Sequence, residues 1–542
     1  MSSPTSTPRP PRIIIIGAGI SGLTACIRIQ ERIPGAEIQI YEKNADIGGT
    51  WFENRYPGCA CDIPAHVYQA TFAPNYEWSG FYASAQEIHA YWARVAERYG
   101  CRKCIRLRTE VVEARWEGGK ETGRWVILVR YLQTGEVVVD EGDILLSCTG
   151  PLNAWQWPSI PGLHGFEGKL LHSASWDEGF SWENKSVAII GNGSSGIQLV
   201  PAMLEKSTRI DHYVRGKTWI SPPLGTAAIE EMGLNEKNKF FFTPEQISRF
   251  KADPEGYLRF RKDLESSILA IHPVTIQNTP EQKAATAEFI SHMRARLAAK
   301  PELADWMIPS FAPACRRLTP GPGYLEALVD PKVNVITTGI EKVTANAIVT
   351  TDGVSHPVDV IVCATGFNTS FQPRFPIFGQ NGVLLQEKWK LTPDSYLSII
   401  TDQFPNHFMT LGPNGTLVGS LLLLIEKQVE YITACIAKMQ QDSIQIIVPR
   451  QVSVQSFAKF AEEYFKSTVF ATKCRSWYKG GSEDGKVVAL WPGSALHAIQ
   501  SLERPRWEDF EIQYLGGRGM SWLGDGWTEG ERKGIFEPSY LD

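Results

Sequence analysis

The feature that most constrains this fold is a glycine-rich turn that occurs twice, each time between a short apolar run and a helix-like stretch. In the first copy the apolar run is Ile13–Ile16, the helix-like stretch is Leu23–Arg32, and the glycines between them are Gly17, Gly19 and Gly22. A second strand-like run follows and ends at Glu42, 20 residues beyond the last glycine. Strand, glycine turn, helix, strand and acid in this order predict a Rossmann-like unit that binds a dinucleotide.

The residue types of the first unit indicate which dinucleotide it binds. Glycines permit a tight turn and let the backbone touch a pyrophosphate, which then lies at the positive end of the following helix. Glu42 is predicted to accept hydrogen bonds from ribose hydroxyl groups. Because a carboxylate repels a 2′-phosphate, the first unit is predicted to bind FAD.

The second copy differs at the position that corresponds to Glu42. Its glycines are Gly191, Gly193 and Gly196, after the run Val187–Ile190. The next strand-like run ends at Arg215, 19 residues beyond the last glycine, and Lys217 follows. Basic side chains attract a 2′-phosphate, so this unit is predicted to bind NADPH. The alternative is a pair of solvated charges at a strand end. Three further residues are predicted to line the pyrophosphate and amide of NADPH: Ser194, Ser195 and Gln198.

The order of the patterns predicts an α/β protein with two Rossmann-like dinucleotide-binding domains. The predicted parts are a disordered leader at 1–11, the first part of an FAD domain at 12–155, an NADPH domain at 156–369, and the rest of the FAD domain with a C-terminal tail at 370–542. A charged stretch at about 224–312 predicts a helical insertion in the NADPH domain. Two Thr-Pro-Glu-Gln sequences in it, from Thr243 and from Thr279, are typical helix starts.

Composition excludes several other classes of protein. The 542 residues carry a net charge of -5, which argues against a nucleic-acid partner. No apolar run is long enough to span a membrane, and the N-terminal sequence lacks the apolar segment of a secretory signal. The ten cysteines are scattered, which favours free thiols in a reducing compartment, so we expect a cytoplasmic protein. No metal site and no obligate protein partner are expected.

Two longer motifs narrow the class. The first extends from Gly48-Gly-Thr-Trp through Tyr56-Pro-Gly to Asp62, and the second contains Phe166, Gly168, His172 and Trp176 just before the second glycine turn. At every fixed position they match the signatures of the type I (class B) flavin-dependent Baeyer–Villiger monooxygenases. The sequence therefore resembles this family over about residues 12–512, and most of all its fungal members. Trp176 favours this branch, because N- and S-oxygenating relatives usually lack it.

The resemblance implies a reaction. Members of the family use NADPH to reduce FAD, form a flavin C4a-peroxide with O2, and insert one oxygen atom next to a ketone carbonyl to give an ester or lactone. The resemblance implies that Arg317 is the catalytic arginine and that Asp62 holds its guanidinium. The alternatives are a surface ion pair for Arg317 and, for Asp62, a side chain that accepts hydrogen bonds from turn N–H groups.

The resemblance also implies the remaining site residues. Arg316 is expected at the NADPH phosphate, Thr50 and Trp51 along the FAD, and Trp477 in a mobile loop over the nicotinamide ribose. The second motif is expected to be a linker between the domains, in which His172 orients neighbours through hydrogen bonds. Two other activities stay open: oxygenation of nitrogen or sulfur, and disulfide reduction by Cys59 and Cys61, although reductases rarely use a C-x-C pair.

Overall fold

The structure is a computed structural model that describes residues 10–119, 123–235, 240–517, 519–520, 523–538 and 541. Most of the predicted disordered leader, residues 1–9, lies outside these ranges. The strands are β1 (Arg12–Ile16), β2 (Glu37–Tyr41), β3 (Ile105–Arg106), β4 (Thr109–Glu117), β5 (Arg124–Tyr131), β6 (Val137–Gly142), β7 (Ile144–Ser147), β8 (Lys169–His172), β9 (Ser186–Ile190), β10 (Arg209–Tyr213), β11 (Val333–Ile336), β12 (Ile340–Val343), β13 (Ala347–Thr350), β14 (Ser355–Pro357), β15 (Val360–Cys363), β16 (Ile377–Phe378), β17 (His407–Met409), β18 (Ile444–Pro449) and β19 (Phe510–Tyr514).

The α-helices are α1 (Ile20–Arg32), α2 (Thr50–Glu53), α3 (Ala85–Arg98), α4 (Ser194–Leu204), α5 (Thr226–Glu231), α6 (Pro244–Ala252), α7 (Pro254–Leu269), α8 (Pro280–Arg296), α9 (Pro301–Met307), α10 (Tyr324–Val329), α11 (Leu385–Lys388), α12 (Leu421–Gln441), α13 (Gln451–Phe465), α14 (Ala495–Ser501) and α15 (Glu529–Arg532). None of the helices in the described ranges combines the length and the apolar character that crossing a bilayer requires.

Two parallel sheets organise the chain. The first has the order β17-β7-β1-β2-β3, and the second has the order β11-β10-β9-β15-β8. Both central strands, β1 and β9, are β-branched runs that are buried almost throughout, as expected for a parallel sheet covered on both faces. The prediction of two Rossmann-like units is confirmed, since each glycine turn joins the central strand of one sheet to a helix.

The chain enters and leaves the second sheet through neighbouring segments. It leaves the first sheet after β7, forms the whole second sheet, and returns to the first sheet as β17. The outgoing and returning segments pair with each other through the bridge between Trp155 and Phe367, and the amide of Asn368 donates to the carbonyl oxygen of Ala154. The two Rossmann-like units are therefore joined by a short paired connection.

The helical insertion packs on both units. Side chains of α6 and α7, such as Phe250 and Leu264, share a cluster with Ile63 and Phe81 of the first unit. Side chains of α8 and α9 instead belong to the core of the second unit. Both predicted helix starts are confirmed, since Thr243 and Thr279 cap α6 and α8. The insertion thus covers the cleft between the units from one side.

The remaining sheets are small. Strands β4, β5 and β6 form an antiparallel sheet, and β16 joins β4 in parallel orientation. An antiparallel sheet of β12, β13 and β14 precedes β15, and β18 pairs with β19 near the end of the chain.

Candidate active site

The two glycine turns have the shape that a dinucleotide pyrophosphate needs. Gly17 and Gly191 have φ angles of +102° and +110°, and a Cβ atom on either would lie within 2.6 Å of a carbonyl oxygen of a neighbouring strand end. A Cβ on Gly22 or Gly196 would overlap the carbonyl oxygen of the first glycine of its own turn. These four positions therefore require glycine, as is expected where a helix, a strand and a phosphate approach one another closely.

The helices that follow the turns are open at their N-termini. Gly19 caps α1 and Gly193 caps α4, and neither first turn contains an acidic residue. A Cβ on Gly193 would meet no atom within 4 Å, so space for a ligand exists there. Helix N-termini with free amides and no local carboxylate suit the phosphates of FAD at α1 and of NADPH at α4.

Glu42 directly follows β2, as predicted, and is buried. Its carboxylate accepts hydrogen bonds from the amides of Ala18 and Asn44, each 2.8 Å long. Burial raises the pKa of Glu42, and the two amides oppose that effect. The side chain therefore fixes the backbone of the first glycine turn, and its contact with an FAD ribose stays a prediction.

The structure brings Arg317 and Asp62 together. Arg317 donates from Nε to Oδ2 and from Nη2 to Oδ1 of Asp62, at 2.6 Å each. Such a bidentate pair fixes the plane of the guanidinium as well as its position. Asp62 raises the pKa of Arg317 through its charge, although burial acts in the opposite direction. Arg317 thus carries a permanent positive charge with a defined orientation.

Backbone contacts position both members of this pair. Asp62 lies between two hydrogen bonds that join its segment to the residues before α3, from the amide of Cys61 to the carbonyl of Ala83 and from the amide of Ala65 to the carbonyl of Phe81. The segment with Arg317 follows α9. It is covalently joined to a distant loop, because Cys315 forms a disulfide with Cys474.

The disulfide corrects the expectation that all ten cysteines are free thiols. Cys315 and Cys474 lie 159 residues apart in sequence and 6.6 Å apart between their Cα atoms. The other eight cysteines are free, including Cys59 and Cys61. Burial raises the pKa of Cys59 to about 11 and that of Cys61 to about 12, so neither is a thiolate at neutral pH. A reductase mechanism therefore lacks its nucleophile here.

Arg317 faces a cleft with largely aliphatic walls. The cleft has about 420 Å³ of empty space, part of it open to solvent. Its charged and hydroxyl-bearing side chains are those of Arg316, Arg317 and Tyr478, and its other lining residues are Ile63, Leu224, Ile268, Ile271, Ala314, Leu318, Leu417, Val418 and Gly419. A ligand of mainly apolar surface with one or two acceptor atoms matches this lining.

Basic side chains gather near the second glycine turn. Arg316 donates from Nη1 to the carbonyl oxygen of Lys217. Burial lowers the pKa of Arg316 most, and the positive charges of Arg215 and Arg475 lower it further. Arg475 was not predicted from the sequence. It follows Cys474 just as Arg316 follows Cys315, so the disulfide draws the two arginines towards each other. Clustered like charges are costly unless an anion compensates them, and the 2′-phosphate of NADPH is such an anion.

The other predicted cofactor residues lie around the cleft between the units. Trp51, in α2, is partly buried and donates to the hydroxyl of Tyr68, whereas Thr50 is exposed at the start of the same helix. The amide of Gln198 already binds the Tyr56 hydroxyl and the carbonyl oxygen of Ala60. Gln198 therefore joins α4 to the first unit, and its contact with NADPH stays a prediction.

The remaining predicted NADPH residues are two serines at the start of α4 and a tryptophan of the loop after the disulfide. Ser194 lies with its hydroxyl 3.5 Å from that of Thr319, and Ser195 is partly buried beside it at the start of α4. Trp477 is partly buried in the loop after Cys474 and packs against Tyr478 with ring centroids 4.8 Å apart. The structure places all three near the second unit, and their roles stay predictions.

The second motif is not a linker, which corrects the sequence interpretation. His172 ends the edge strand β8 of the second sheet and pairs with Cys363, and Gly168 closely approaches the carbonyl oxygen of Asp359. Phe166 is buried in the core beneath this sheet. Trp176 is partly buried and packs edge-on against Trp182. The motif is therefore part of the second unit itself.

His172 nevertheless contacts the connection between the units. Its ring stacks on Trp155 at 4.6 Å, its Nδ1 accepts from the amide of Ala174, and its Nε2 lies 3.3 Å from the hydroxyl of Thr365. Burial lowers the pKa of His172 to about 4, so the ring is neutral at pH 7. The expected hydrogen-bonding role of His172 is thus present at the paired connection, although the residue itself belongs to a strand.

Three functional side chains escaped sequence reasoning. Tyr478 lies at the cleft beside Trp477, Tyr68 binds the indole of Trp51, and Arg475 belongs to the basic cluster. The basic residue Lys473, two positions before Arg475, is a signal that could have indicated Arg475, because a basic loop suits a phosphate. No pattern in the sequence distinguishes Tyr478 or Tyr68 from the other tyrosines.

Comparisons with known proteins agree with this geometry. The family model for an NAD(P)-binding Rossmann-like domain matches residues 15–85. The FAD-binding monooxygenase tazF of Aspergillus terreus is 38% identical over 538 residues, 98% of this chain and 94% of that protein. A Baeyer–Villiger monooxygenase of Streptomyces coelicolor is 30% identical over 506 residues, 92% of each chain.

A solved structure gives the same result. Cyclohexanone monooxygenase from Rhodococcus sp. Phi1, bound to NADP+, superimposes with a TM-score of 0.78 at 26% identity and covers 93% of this chain and 100% of that chain. The predicted fold and the two predicted cofactors, FAD and NADPH, are thereby confirmed. The chain belongs to the Baeyer–Villiger monooxygenases, a family of FAD-containing, NADPH-dependent oxidoreductases.

Proposed function

We propose that this enzyme inserts one oxygen atom of O2 next to the carbonyl group of a ketone and releases an ester or lactone. The observation that carries the proposal is the Arg317–Asp62 pair, which presents an oriented, permanently charged guanidinium to an apolar cleft. Oxygenation of a nitrogen or sulfur atom develops no negative charge on a substrate oxygen, so it provides no such charge for the guanidinium to stabilise.

The cofactors are assigned to the two glycine turns. In this family, FAD that is bound and has been reduced by NADPH supplies the activation of O2. Gly17, Gly19 and Gly22 would hold the FAD pyrophosphate at α1, and Gly191, Gly193 and Gly196 would hold that of NADPH at α4. Arg215, Lys217, Arg316 and Arg475 would bind the 2′-phosphate of NADPH.

Arg317 is assigned two tasks in the reaction. Asp62 uses the Nε–H and one N–H of Nη2, which leaves three of the five guanidinium N–H donors for other partners. These donors can bind the carbonyl oxygen of the ketone, on which negative charge accumulates as the carbonyl carbon is attacked. They also favour the anionic form of the attacking oxidant. Because the charge is already oriented, no reorganisation is required at the moment of reaction.

The walls of the cleft support the same chemistry. Ile63, Ile268, Leu417 and Val418 line the same cleft as Arg317 with hydrocarbon. Exclusion of water strengthens each electrostatic contact and protects reactive species from hydrolysis. The apolar lining also selects the hydrocarbon part of the substrate, so we assign a ketone of mainly apolar surface as the substrate class.

The proposal is tested by the origin and position of the new oxygen atom. Purified enzyme with FAD and NADPH is incubated under 18O2 with linear, cyclic and aryl ketones, and the products are analysed by mass spectrometry. The expected result is an ester or lactone that carries one 18O atom in the newly formed C–O–C linkage. Oxygenation of thioethers or amines, without ester from any of the ketones, would overturn the proposal and favour the N- or S-oxygenating class.

A further inference from the structure

A tyrosine of the loop after the disulfide lies at the cleft that contains Arg317. Tyr478 follows Trp477, and its backbone amide donates to the hydroxyl of Ser476, which caps this short turn. Its ring packs edge-on against Phe470 with centroids 5.8 Å apart and is only 3% exposed. The ring is therefore fixed by its neighbours, and Tyr478 lines the same cleft as Arg317.

Within the described ranges the Tyr478 side chain forms no hydrogen bond, and its hydroxyl is not among the fully enclosed unpaired polar atoms, so it remains accessible to a ligand. Some buried tyrosines have partners, since the Tyr324 hydroxyl lies 2.9 Å from His212 and the Tyr91 hydroxyl donates to the carbonyl oxygen of Ala73. The hydroxyls of Tyr82, Tyr213 and Tyr431 lack a partner but are fully enclosed, unlike that of Tyr478. A hydroxyl that has no protein partner and remains accessible binds water or a ligand atom. At the wall of a ligand cleft, the ligand itself is the natural partner.

Tyr478 also lies within electrostatic reach of the arginine–aspartate pair. Burial raises the pKa of Tyr478 to about 12, whereas the positive charge of Arg317 lowers it and the negative charge of Asp62 raises it. The phenol therefore keeps its proton throughout the neutral range and acts as a donor. Since the cleft is otherwise mainly aliphatic, Tyr478 and the arginines provide its side-chain donors.

We propose that the Tyr478 hydroxyl donates a hydrogen bond to the carbonyl oxygen of the ketone, beside the guanidinium of Arg317, and so forms the second donor of the site. This inference rests on the proposed function. Two fixed donors that converge on one oxygen atom stabilise the charge that develops on it better than one donor does. Tyr478 thereby becomes a residue that distinguishes ketones from substrates without a carbonyl group.

The test uses Tyr478→Phe, which keeps the packing on Phe470 and removes only the hydroxyl. The matched control is Tyr464→Phe, since Tyr464 lies near the same loop and borders a different cavity, with His272. We measure kcat/KM for a ketone and for a thioether, the dissociation constant of the ketone from difference spectra of the oxidised enzyme, and the rate of flavin reduction by NADPH.

The expected result for Tyr478→Phe is a fall in kcat/KM for the ketone of about 10-fold to 100-fold, somewhat below the effect typical of a principal oxyanion donor. Thioether oxygenation, flavin reduction and the thermal midpoint should stay within about twofold or 2 °C of wild type, and ketone binding should weaken measurably. Tyr464→Phe should match wild type in all of these measurements.

Two results would overturn the inference. One is a Tyr478→Phe enzyme that oxidises ketones at the wild-type kcat/KM. The other is an equal fall for ketone and thioether, which would indicate a structural role. Failure of the proposed function is distinguishable from both, because the wild-type enzyme would then make no ester from any ketone.

Discussion

The carboxylate of Asp62 binds Arg317 through two parallel hydrogen bonds, Nε to Oδ2 and Nη2 to Oδ1, although 255 residues separate them in sequence. The pair joins the first unit to the segment after the helical insertion. Asp62 therefore acts on the reaction through Arg317, as a positioning residue whose charge and geometry both matter.

Replacement of Asp62 should damage the reaction without preventing cofactor binding. In Asp62→Asn the amide nitrogen cannot accept from the guanidinium, so one of the two hydrogen bonds is lost and the fork is free to rotate. We expect kcat for ketone oxidation to fall by about 10-fold to 100-fold, while FAD content and the KM for NADPH stay near wild type. Asp62→Glu, which keeps the charge, should recover part of the activity. Wild-type kcat in Asp62→Asn would contradict the assigned role.

The basic cluster should determine the choice of coenzyme. A charge-assisted hydrogen bond contributes about 1.5–3 kcal/mol, so each of Arg215, Lys217 and Arg475 that binds the 2′-phosphate should add about tenfold or more to the preference for NADPH over NADH. The double variant Arg215→Ala/Lys217→Ala should raise the dissociation constant of NADP+, measured by calorimetry, and leave that of NAD+ unchanged. Arg475→Ala should do the same to a smaller extent.

The control for this coenzyme test is Arg506→Ala, a basic residue that instead forms ion pairs with Glu508 and Asp509. It should bind both coenzymes as the wild type does. Equal affinity of the unmodified enzyme for NADP+ and NAD+ would contradict the assignment of the second unit to NADPH.

The disulfide predicts a thiol count. Protein purified without reductant and then denatured should titrate eight thiols of its ten cysteines, and ten after reduction. Because the bond closes a long loop, Cys474→Ser should lower the free energy of unfolding by about 2–4 kcal/mol. The matched control Cys435→Ser removes a buried cysteine that is free, so it should lower stability only through lost packing. The stability of Cys435→Ser should still fall when reductant is added, whereas that of Cys474→Ser should not respond to reductant. Ten titratable thiols without reduction would show that the bond is absent.

Buried histidines should make the fold sensitive to acid. Burial lowers the pKa of His172 and His212 to about 4, and that of His66 and His407 to about 3. Between these values and the unfolded pKa near 6.5 the unfolded chain binds more protons, so stability falls as the pH is lowered through this window and is constant above it. The slope is at most about 1.4 kcal/mol per pH unit for each histidine. Urea midpoints from pH 8 to pH 4.5 measure this effect, and a midpoint that rises on acidification would contradict it.

The glycine turns, their strands and Glu42 could be predicted from sequence because each is a local pattern with a local physical reason. Gly17 and Gly191 need a positive φ angle, and a strand must end where the ribose lies. The positions of Arg317 and Asp62 came from motif resemblance, and their pairing follows from chemistry. The glycine turns are short, local patterns, and Arg317 and Asp62 have opposite charges.

The features that could not be predicted depend on contacts between distant segments. Cys315 and Cys474 carry no signal that pairs them across 159 residues, so Tyr478 could not be placed at the cleft, nor Arg475 near Arg316. The position of the second motif just before the second glycine turn predicts a linker, because sequence order alone does not show that a strand joins a sheet edge. The structure shows that β8 is added at the sheet edge beside β15, which follows it by almost 200 residues.

The most direct test of the central claim compares Arg317→Ala, Arg317→Lys and wild type in parallel assays of ketone and thioether oxygenation. Removal of the oriented charge should reduce ester formation by about 10²–10³-fold, and lysine should restore only a small part because it lacks the planar fork that Asp62 holds. Flavin reduction by NADPH and a substantial part of thioether oxygenation should persist. An Arg317→Ala enzyme that forms ester at close to the wild-type rate would contradict the account.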